Sequence, residues 1–388
     1  MAGGPMITLL GGVVGAKLSH DPMLSTLPVS IMIVGIAIFT IPAAHVMKFI
    51  GRRRGFIASA LTSAVASLFA AYAIWTESFI IFCFTMLFIG ANLAFVQQYR
   101  FAAAESVKPN QSSKAISFVL IGSIGAAYLG PEIASRAKDL LDFGVYSGSF
   151  LGLAIMSLLA AILLYFYDDV EVQDEGILAK ERPLQEIIKQ PLFILAVLAG
   201  VVAYGMMSFI MTATPVSMHV FEGYSLEDTA RTIQIHVIAM YLPSLFTGTI
   251  ISRLGVLKVM IAGSVFLSAS ISIALLGHQL QYYWGALFLL GIGWNFLFVS
   301  GTTLLTRTYH STERFNAQAI NDFSIFAISA LASLLAGVII HHVGWNFINL
   351  LCIPLLVLMF LFIFAVRKIL YKTKSPISGY EATRNPLF

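Results

Sequence analysis

Four side chains with donor chemistry stand at helical spacing in the second half of the chain. Met207-Ser-Phe-Ile-Met211 sets two thioethers four residues apart, and His236-Val-Ile-Ala-Met240 sets an imidazole and a thioether at the same interval. On a helix that interval brings both members of a pair to one face. Thioether and imidazole together suit Cu(I) and discriminate against hard cations such as Mg²⁺. Weak, stepped methionine ligation also suits a carrier, which must release what it binds. Methionine is equally a gap-filler of apolar packing, and with 14 methionines and 8 histidines in the chain either pattern alone can arise by chance. At a helical rise of about 1.5 Å per residue, Met211 and Met207 lie roughly 9 and 15 Å from the polar end of their apolar run. His236 and Met240 lie at matching depths in the next run. On adjacent antiparallel helices Met211 would stand level with His236, and Met207 with Met240. On spacing alone, packing and metal binding both fit.

Ionisable groups inside apolar runs are a second source of chemistry, because each is costly in lipid and marks a pathway, a relay or a pair. Arg100 and Glu105 fall in Gln97-Gln98-Tyr99-Arg100-Phe101-Ala-Ala-Ala-Glu105, where they pair with each other or gate one mouth of a pathway. Glu132 follows Gly130-Pro131, and Asp322 lies in Asn321-Asp322-Phe323. Glu132 is expected to be a poorly solvated lone carboxylate beside a helix break, and Asp322 a membrane acid or a solvated helix end. Either is a candidate carrier of a coupled proton. Trp294, Asn295 and Asn321, with Phe296, are the aromatic and amide groups that a flat organic cargo would contact in a cavity.

The elements that must hold these groups are set by solvent. Apolar residues make up 58% of 388 positions and charged residues only 11%, where a soluble domain carries about a quarter charged residues. Apolar runs of about 20 residues recur, long enough to cross roughly 30 Å of hydrocarbon. Helices are predicted at 4–19, 24–47, 55–76, 79–107, 114–136, 146–167, 191–217, 231–252, 258–277, 282–308, 316–341 and 345–368. The first is short and carries three glycines within 11–15, so it is either truncated or barely spans. The expected plan is an all-α polytopic membrane protein with about twelve spans. It comprises a six-helix bundle over 1–167, a polar linker over 168–190, a second six-helix bundle over 191–368 and a tail over 369–388. Lysine and arginine crowd one set of loops, so both termini and the linker are expected on the cytoplasmic side. The net charge of +4 therefore records topology, and nucleic acid is not an expected partner. Two cysteines, Cys83 and Cys352, give no disulfide framework.

The halves repeat. Ala44-His-Val-Met-Lys48-Phe-Ile-Gly51-Arg52-Arg53-Arg54 follows the second run, and Gly248-Thr-Ile-Ile-Ser252-Arg253-Leu-Gly255 follows the eighth. Both resemble the short 2–3 loop signature of the major facilitator superfamily, with Lys48 and Ser252 where its usual acid stands. The resemblance implies two bundles related about an axis along the membrane normal, with cargo bound between them near the midplane. Met211-Thr-Ala-Thr-Pro215, Ile233–Gly248, Tyr99–Glu105, Gly130-Pro131-Glu132 and Gly291–Phe296 are similar to the CcoA-like branch of that superfamily in bacteria. That resemblance implies a copper importer of the inner membrane, supplying a haem–copper oxidase, with Met207, Met211, His236 and Met240 as its metal path. Phe221 stands where such relatives often carry a cysteine. Another branch of the family carries riboflavin.

No Walker-type GxxxxGK[ST] occurs in the chain, so a secondary carrier is expected to work without ATP hydrolysis. The expectation from sequence is copper import by alternating access, with copper as cargo and no cofactor. The chain would act as a monomer in lipid, with a proton as candidate coupling ion. The alternatives are a carrier of a small organic substrate such as riboflavin, or a drug or metabolite exporter.

Overall fold

The computed structural model describes residues 3–19, 21, 24, 27–138, 140–141, 144–168 and 182–372. Among them every regular element is helical: α1 Gly3–Leu18, α2 Leu27–Ile50, α3 Arg52–Trp75, α4 Phe79–Gln97, α5 Tyr99–Glu105, α6 Ser112–Arg136, α7 Ser147–Tyr165, α8 Leu184–Ile188, α9 Pro191–Pro215, α10 Leu226–Tyr241, α11 Ser244–Leu254, α12 Val256–Ala274, α13 Leu280–Leu305, α14 Arg314–His342, α15 Trp345–Leu351 and α16 Ile353–Lys372. Among the described residues, eleven stretches are long and apolar enough to cross a membrane. The outward faces suit that solvent: Phe69, Ile80, Phe84, Leu163 and Leu361 are all exposed, an apolar surface that water would not tolerate over such an area. The sixteen-residue α1 is shorter, and its first turn lies beside Ile89 and Leu153 of α4 and α7.

Several runs that read as single helices are broken. Gln98 separates α4 from α5, Pro243 opens α11 after α10, and Cys352 divides α15 from α16 just before Pro354. Proline accounts for two of these breaks, since it removes a backbone donor and clashes with the preceding turn. The break at Gln98 is slight, since its backbone stays right-handed helical and its N–H turns to the Phe95 carbonyl three residues back, at 3.0 Å. Around Glu132, by contrast, α6 runs unbroken through Gly130-Pro131.

The turns at the two repeated motifs match each other. Gly51 sits at φ +85° between α2 and α3, and Gly255 at φ +89° between α11 and α12. Both angles lie where a Cβ is strained, so glycine fits the reversal. We call the end of the molecule carrying these turns the basic end. Helices α1–α7 pack chiefly among themselves, as do α9–α16. The two sets meet along α2 against α14 and along α6 against α10, α11 and α13. Of the expected linker, residues 169–181 lie outside the described residues, as do 373–388 of the tail.

Candidate functional site

A cavity of about 570 Å³ lies between the two helix sets. Its walls come from α1, α2, α4, α5 and α6 on one side and from α9, α10, α13 and α14 on the other. It runs from Gln97 and Arg100 toward His219 and Val220, which are exposed on a π-helical turn over Val216–Phe221 that follows Pro215. Wide turns of this kind are frequent at functional sites.

Met207, Met211, His236 and Met240 all line this cavity. The route by which they meet differs from the expected one, since α10 packs on α13 and α6 and barely touches α9. The two pairs therefore belong to different walls of a chamber, and are not stacked along a helix seam. His236 is buried, and its Nδ1 lies 2.9 Å from the Leu287 carbonyl. A carbonyl only accepts, so Nδ1–H donates and the neutral ring keeps Nε2 as a lone-pair acceptor. That Nε2 is buried without a partner. The same holds for three donors on cavity-lining residues, Arg100 Nε, Trp294 Nε1 and Ser329 Oγ. Buried polar atoms are nearly always paired, and of the nine unpartnered ones among the described residues four belong to the lining of this chamber. Tyr204, Tyr241, Trp294 and Phe326 supply aromatic lining, with Tyr204 edge-on to Trp294 at 5.2 Å and to Phe326 at 5.0 Å.

The charges do not pair as the sequence suggested. Arg100 and Glu105 are not partners. Arg100 forms a buried ion pair with Asp322 of α14, its guanidinium 4.3 Å from the Phe298 ring centroid. Asp322 is fully buried, so it is not a solvated helix end, and it also accepts from Gln98 at 3.0 Å and Asn321 at 2.8 Å. Glu105 instead accepts from Arg52 at 2.8 and 3.2 Å, a two-point contact, and from Gln318 of α14 at 2.9 Å. Arg52 donates to Gln318 as well, at 3.0 Å, and Gln318 donates to the Tyr309 hydroxyl at 2.7 Å. These two networks join the helix sets between the cavity floor and the basic end. A third tie is steric. Ser113 donates to the Gly248 carbonyl at 3.2 Å, and a Cβ at Gly248 would meet the Ser113 carbonyl oxygen at 2.7 Å. On the α2–α14 side the sets also touch farther up, where Ser30 and Ser333 are 3.2 Å apart. The structure is thus closed at the basic end, with its chamber reaching the other.

Other candidates fall elsewhere. Glu132 does not line the cavity and is not a lone carboxylate, since Arg136 pairs with it one turn on. Asn295 is no cavity contact either. It is fully buried, donating to Ser244 at 2.6 Å and to the Met240 carbonyl at 2.7 Å, while Thr247 donates to it at 2.7 Å, so it fastens α13 to α10 and α11. Asn321 serves Asp322, and Phe296 faces Phe266. Arg53 donates to the Tyr165 carbonyl beside Asp168, and Arg253 is exposed. Sequence reasoning missed Gln98, Tyr204, Tyr309 and Gln318. The polar pair Gln97-Gln98 inside an apolar run was the one available signal. It also missed Arg182 of the linker, which donates to Glu313 at 2.6 and 2.9 Å. That contact raises the Arg182 pKa above the ordinary arginine value.

Comparison with known proteins agrees with this architecture. The Major Facilitator Superfamily model matches residues 3–239 and 229–388. The riboflavin transporter RfnT of Brucella anthropi is 42% identical over 357 residues, 92% of this chain and 89% of that protein. YdeG of Bacillus subtilis, an uncharacterised transporter of the same type, is 28% identical over 90% of this chain and 87% of its own length. Among solved structures, the transporter FucP in an outward conformation superposes with a TM-score of 0.68 at 15% identity, covering 93% of this chain and 96% of that one. The human organic anion transporter MFSD10 does so with 0.71 at 13%, again over 93% and 96%. Eleven membrane-spanning stretches, a chamber between two helix sets and matches over nearly the whole length lead to one assignment: this chain is a multi-pass membrane transporter belonging to the major facilitator superfamily.

Proposed function

We propose that the protein carries a small, planar, uncharged organic nutrient of the riboflavin type across the bacterial inner membrane by alternating access. The observation that carries this reading is the chamber itself. Its volume of about 570 Å³ falls in the range of organic ligand sites, about 300–1,000 Å³. A flavin presents a tricyclic ring whose imide edge reads acceptor–donor–acceptor. The unpartnered lining atoms supply the complementary types: donors at Trp294 Nε1 and Arg100 Nε, and an acceptor at His236 Nε2. The ring faces need aromatic and polarisable surface, which Tyr204, Tyr241 and Phe326 provide together with Met207, Met211 and Met240. Thioethers make favourable contacts with aromatic rings, so the same methionines that suggested a metal suit a flat heterocycle. The 42% identity to a riboflavin transporter over most of both chains supports the same cargo.

Transport then follows from the ties at the basic end. Positive charge in the loops puts that end in the cytoplasm. With Arg52–Glu105–Gln318, Arg100–Asp322 and the Ser113–Gly248 contact formed, cargo has access from outside. Release inward requires the first bundle, 1–167, to rock against the second, 191–368, until those ties part. Arg100 belongs both to the chamber and to the tie, so cargo bound at Arg100 can weaken its hold on Asp322.

Copper import is the second reading, favoured by one observation: the thioether pair Met207–Met211 and the imidazole–thioether pair His236–Met240 line the same chamber. Uptake of radiolabelled riboflavin and copper, measured side by side in a deletion strain, separates the readings. Riboflavin uptake that depends on the protein is the expected result. Copper accumulation without riboflavin uptake would overturn it.

A further inference from the structure

The last turn of α2 carries Lys48 where the superfamily signature has an acid, and the structure places that residue in a second, smaller cavity. It has a volume of about 160 Å³ and opens at the basic end between the helix sets. Lys48 and Arg52 line it from the first set, Arg314 from α14 of the second, and Glu105 is the one acid lining it among the described residues. Arg52 and Glu105 satisfy each other at 2.8 Å, whereas Arg314 reaches Glu105 only at 3.8 Å and keeps a buried Nε without a partner. Both guanidinium groups lie over the Phe315 ring, at 5.1 and 4.9 Å from its centroid. Three cations thus share one cavity with one carboxylate across the boundary that must part during transport. With an acid at position 48 the cavity would be charge-balanced. With lysine it holds an excess of positive charge, and like charges across a closing interface oppose closure.

We infer that this cavity binds a phosphate-type oxyanion, which bridges Lys48 of one bundle to Arg314 of the other and holds the basic end closed. Guanidinium forks and an ammonium are the donors that recognise such a group. The inference needs no particular cargo in the large chamber. Two sources share this chemistry, inorganic phosphate and the phosphoryl headgroup of an anionic lipid.

The test uses the full chain in nanodiscs of phosphatidylcholine, with spin labels on Phe49→Cys and Thr312→Cys, both exposed sites at the basic end. Cys83 and Cys352 are buried. Inorganic phosphate is expected to shift the distance distribution toward the short, closed population, where chloride at equal ionic strength does not. Lys48→Gln should raise the phosphate midpoint by about ten-fold, the effect of losing one charged hydrogen bond, and Lys48→Arg should restore it. Lys48 is exposed, so these variants should fold. If phosphate is inert but phosphatidylglycerol nanodiscs give the same Lys48-dependent closure, the headgroup is the bound anion. If neither anion closes the basic end, or if Lys48→Gln responds as wild type does, the inference fails.

Discussion

Replacing Asp322 by asparagine is the perturbation that best separates a latch from a structural ion pair. The carboxylate is fully buried and holds Arg100, with support from Gln98 and Asn321. Asparagine fills the same space but leaves the guanidinium buried and uncompensated. Breaking one side of a buried pair costs about 3–5 kcal/mol. That cost falls on the state described here, because once the basic end opens, water reaches Arg100 and solvates it. At 1.4 kcal/mol per decade, the ratio of closed to open molecules should fall by roughly 140- to 4,000-fold. The label pair at Phe49→Cys and Thr312→Cys would read this as a shift toward long distances, with riboflavin uptake falling as the outside-facing state is depleted.

The companion variant removes both charges, Arg100→Met with Asp322→Leu. Apolar replacement of a buried ion pair is often neutral or stabilising by about 1–4 kcal/mol. It should therefore move the same labels the other way, toward the closed population. A pair that only holds the fold together would lower expression in both variants and leave the distances alone. Identical shifts in the two variants, or none in either, would refute the latch.

Gly248→Ala should also open the basic end, since its Cβ would lie 2.7 Å from the Ser113 carbonyl oxygen and 2.9 Å from the Lys114 Cα. Overpacking of this kind costs about 1–3 kcal/mol, and cysteine accessibility at that end should rise without loss of folded protein. His236→Phe keeps a ring but removes the Nε2 acceptor, so riboflavin affinity measured by equilibrium binding should drop about ten-fold. Riboflavin methylated at the imide nitrogen should bind wild type poorly and lose nothing further in that variant. Met207→Leu with Met211→Leu conserves volume at a stability cost under about 1.5 kcal/mol. Riboflavin uptake should persist in it, and abolished copper uptake there would favour the metal reading instead. Lys180→Cys, in the central linker, should resist labelling by an impermeant maleimide in intact cells if the basic end is cytoplasmic.

The sequence made the solvent, the spans and the paired glycine turns legible because each depends on local chemistry: run length, loop charge and a positive φ. It also brought Met207, Met211, His236 and Met240 to the chamber, since helical periodicity fixes which face a residue takes. What that periodicity cannot encode is which helix lies opposite. Asn295 and Trp294 are neighbours on α13, yet one fastens helices and the other lines the cavity. Arg100 and Glu105 sit five residues apart and answer to different partners, 222 and 53 positions away. The cargo reading depended on the same missing dimension. Thioethers and an imidazole at matched depth suggest a metal, whereas the same side chains spread over the walls of one chamber also suit a flat organic cargo.

The two halves use different physics to close the same end. In the first repeat, Gly51 turns the chain so that Arg52 starts α3 pointing into the interface, where Glu105 and Gln318 hold it. The corresponding position after Gly255 is Val256, which is buried and apolar, and Arg253 is left exposed. The second repeat contributes through Gly248, whose missing side chain lets α11 press against the Ser113 carbonyl of α6. One tie is therefore charge-based and the other steric. Salt at high concentration screens accessible charges within a few ångströms but leaves van der Waals contact untouched. Raising ionic strength should act on the Arg52 side, where Arg314 is one-fifth exposed, while the α6–α11 contact persists. Labels placed across α3–α14 and across α6–α11 should then respond unequally to salt, and an equal response would mean that the two ties open as one rigid unit.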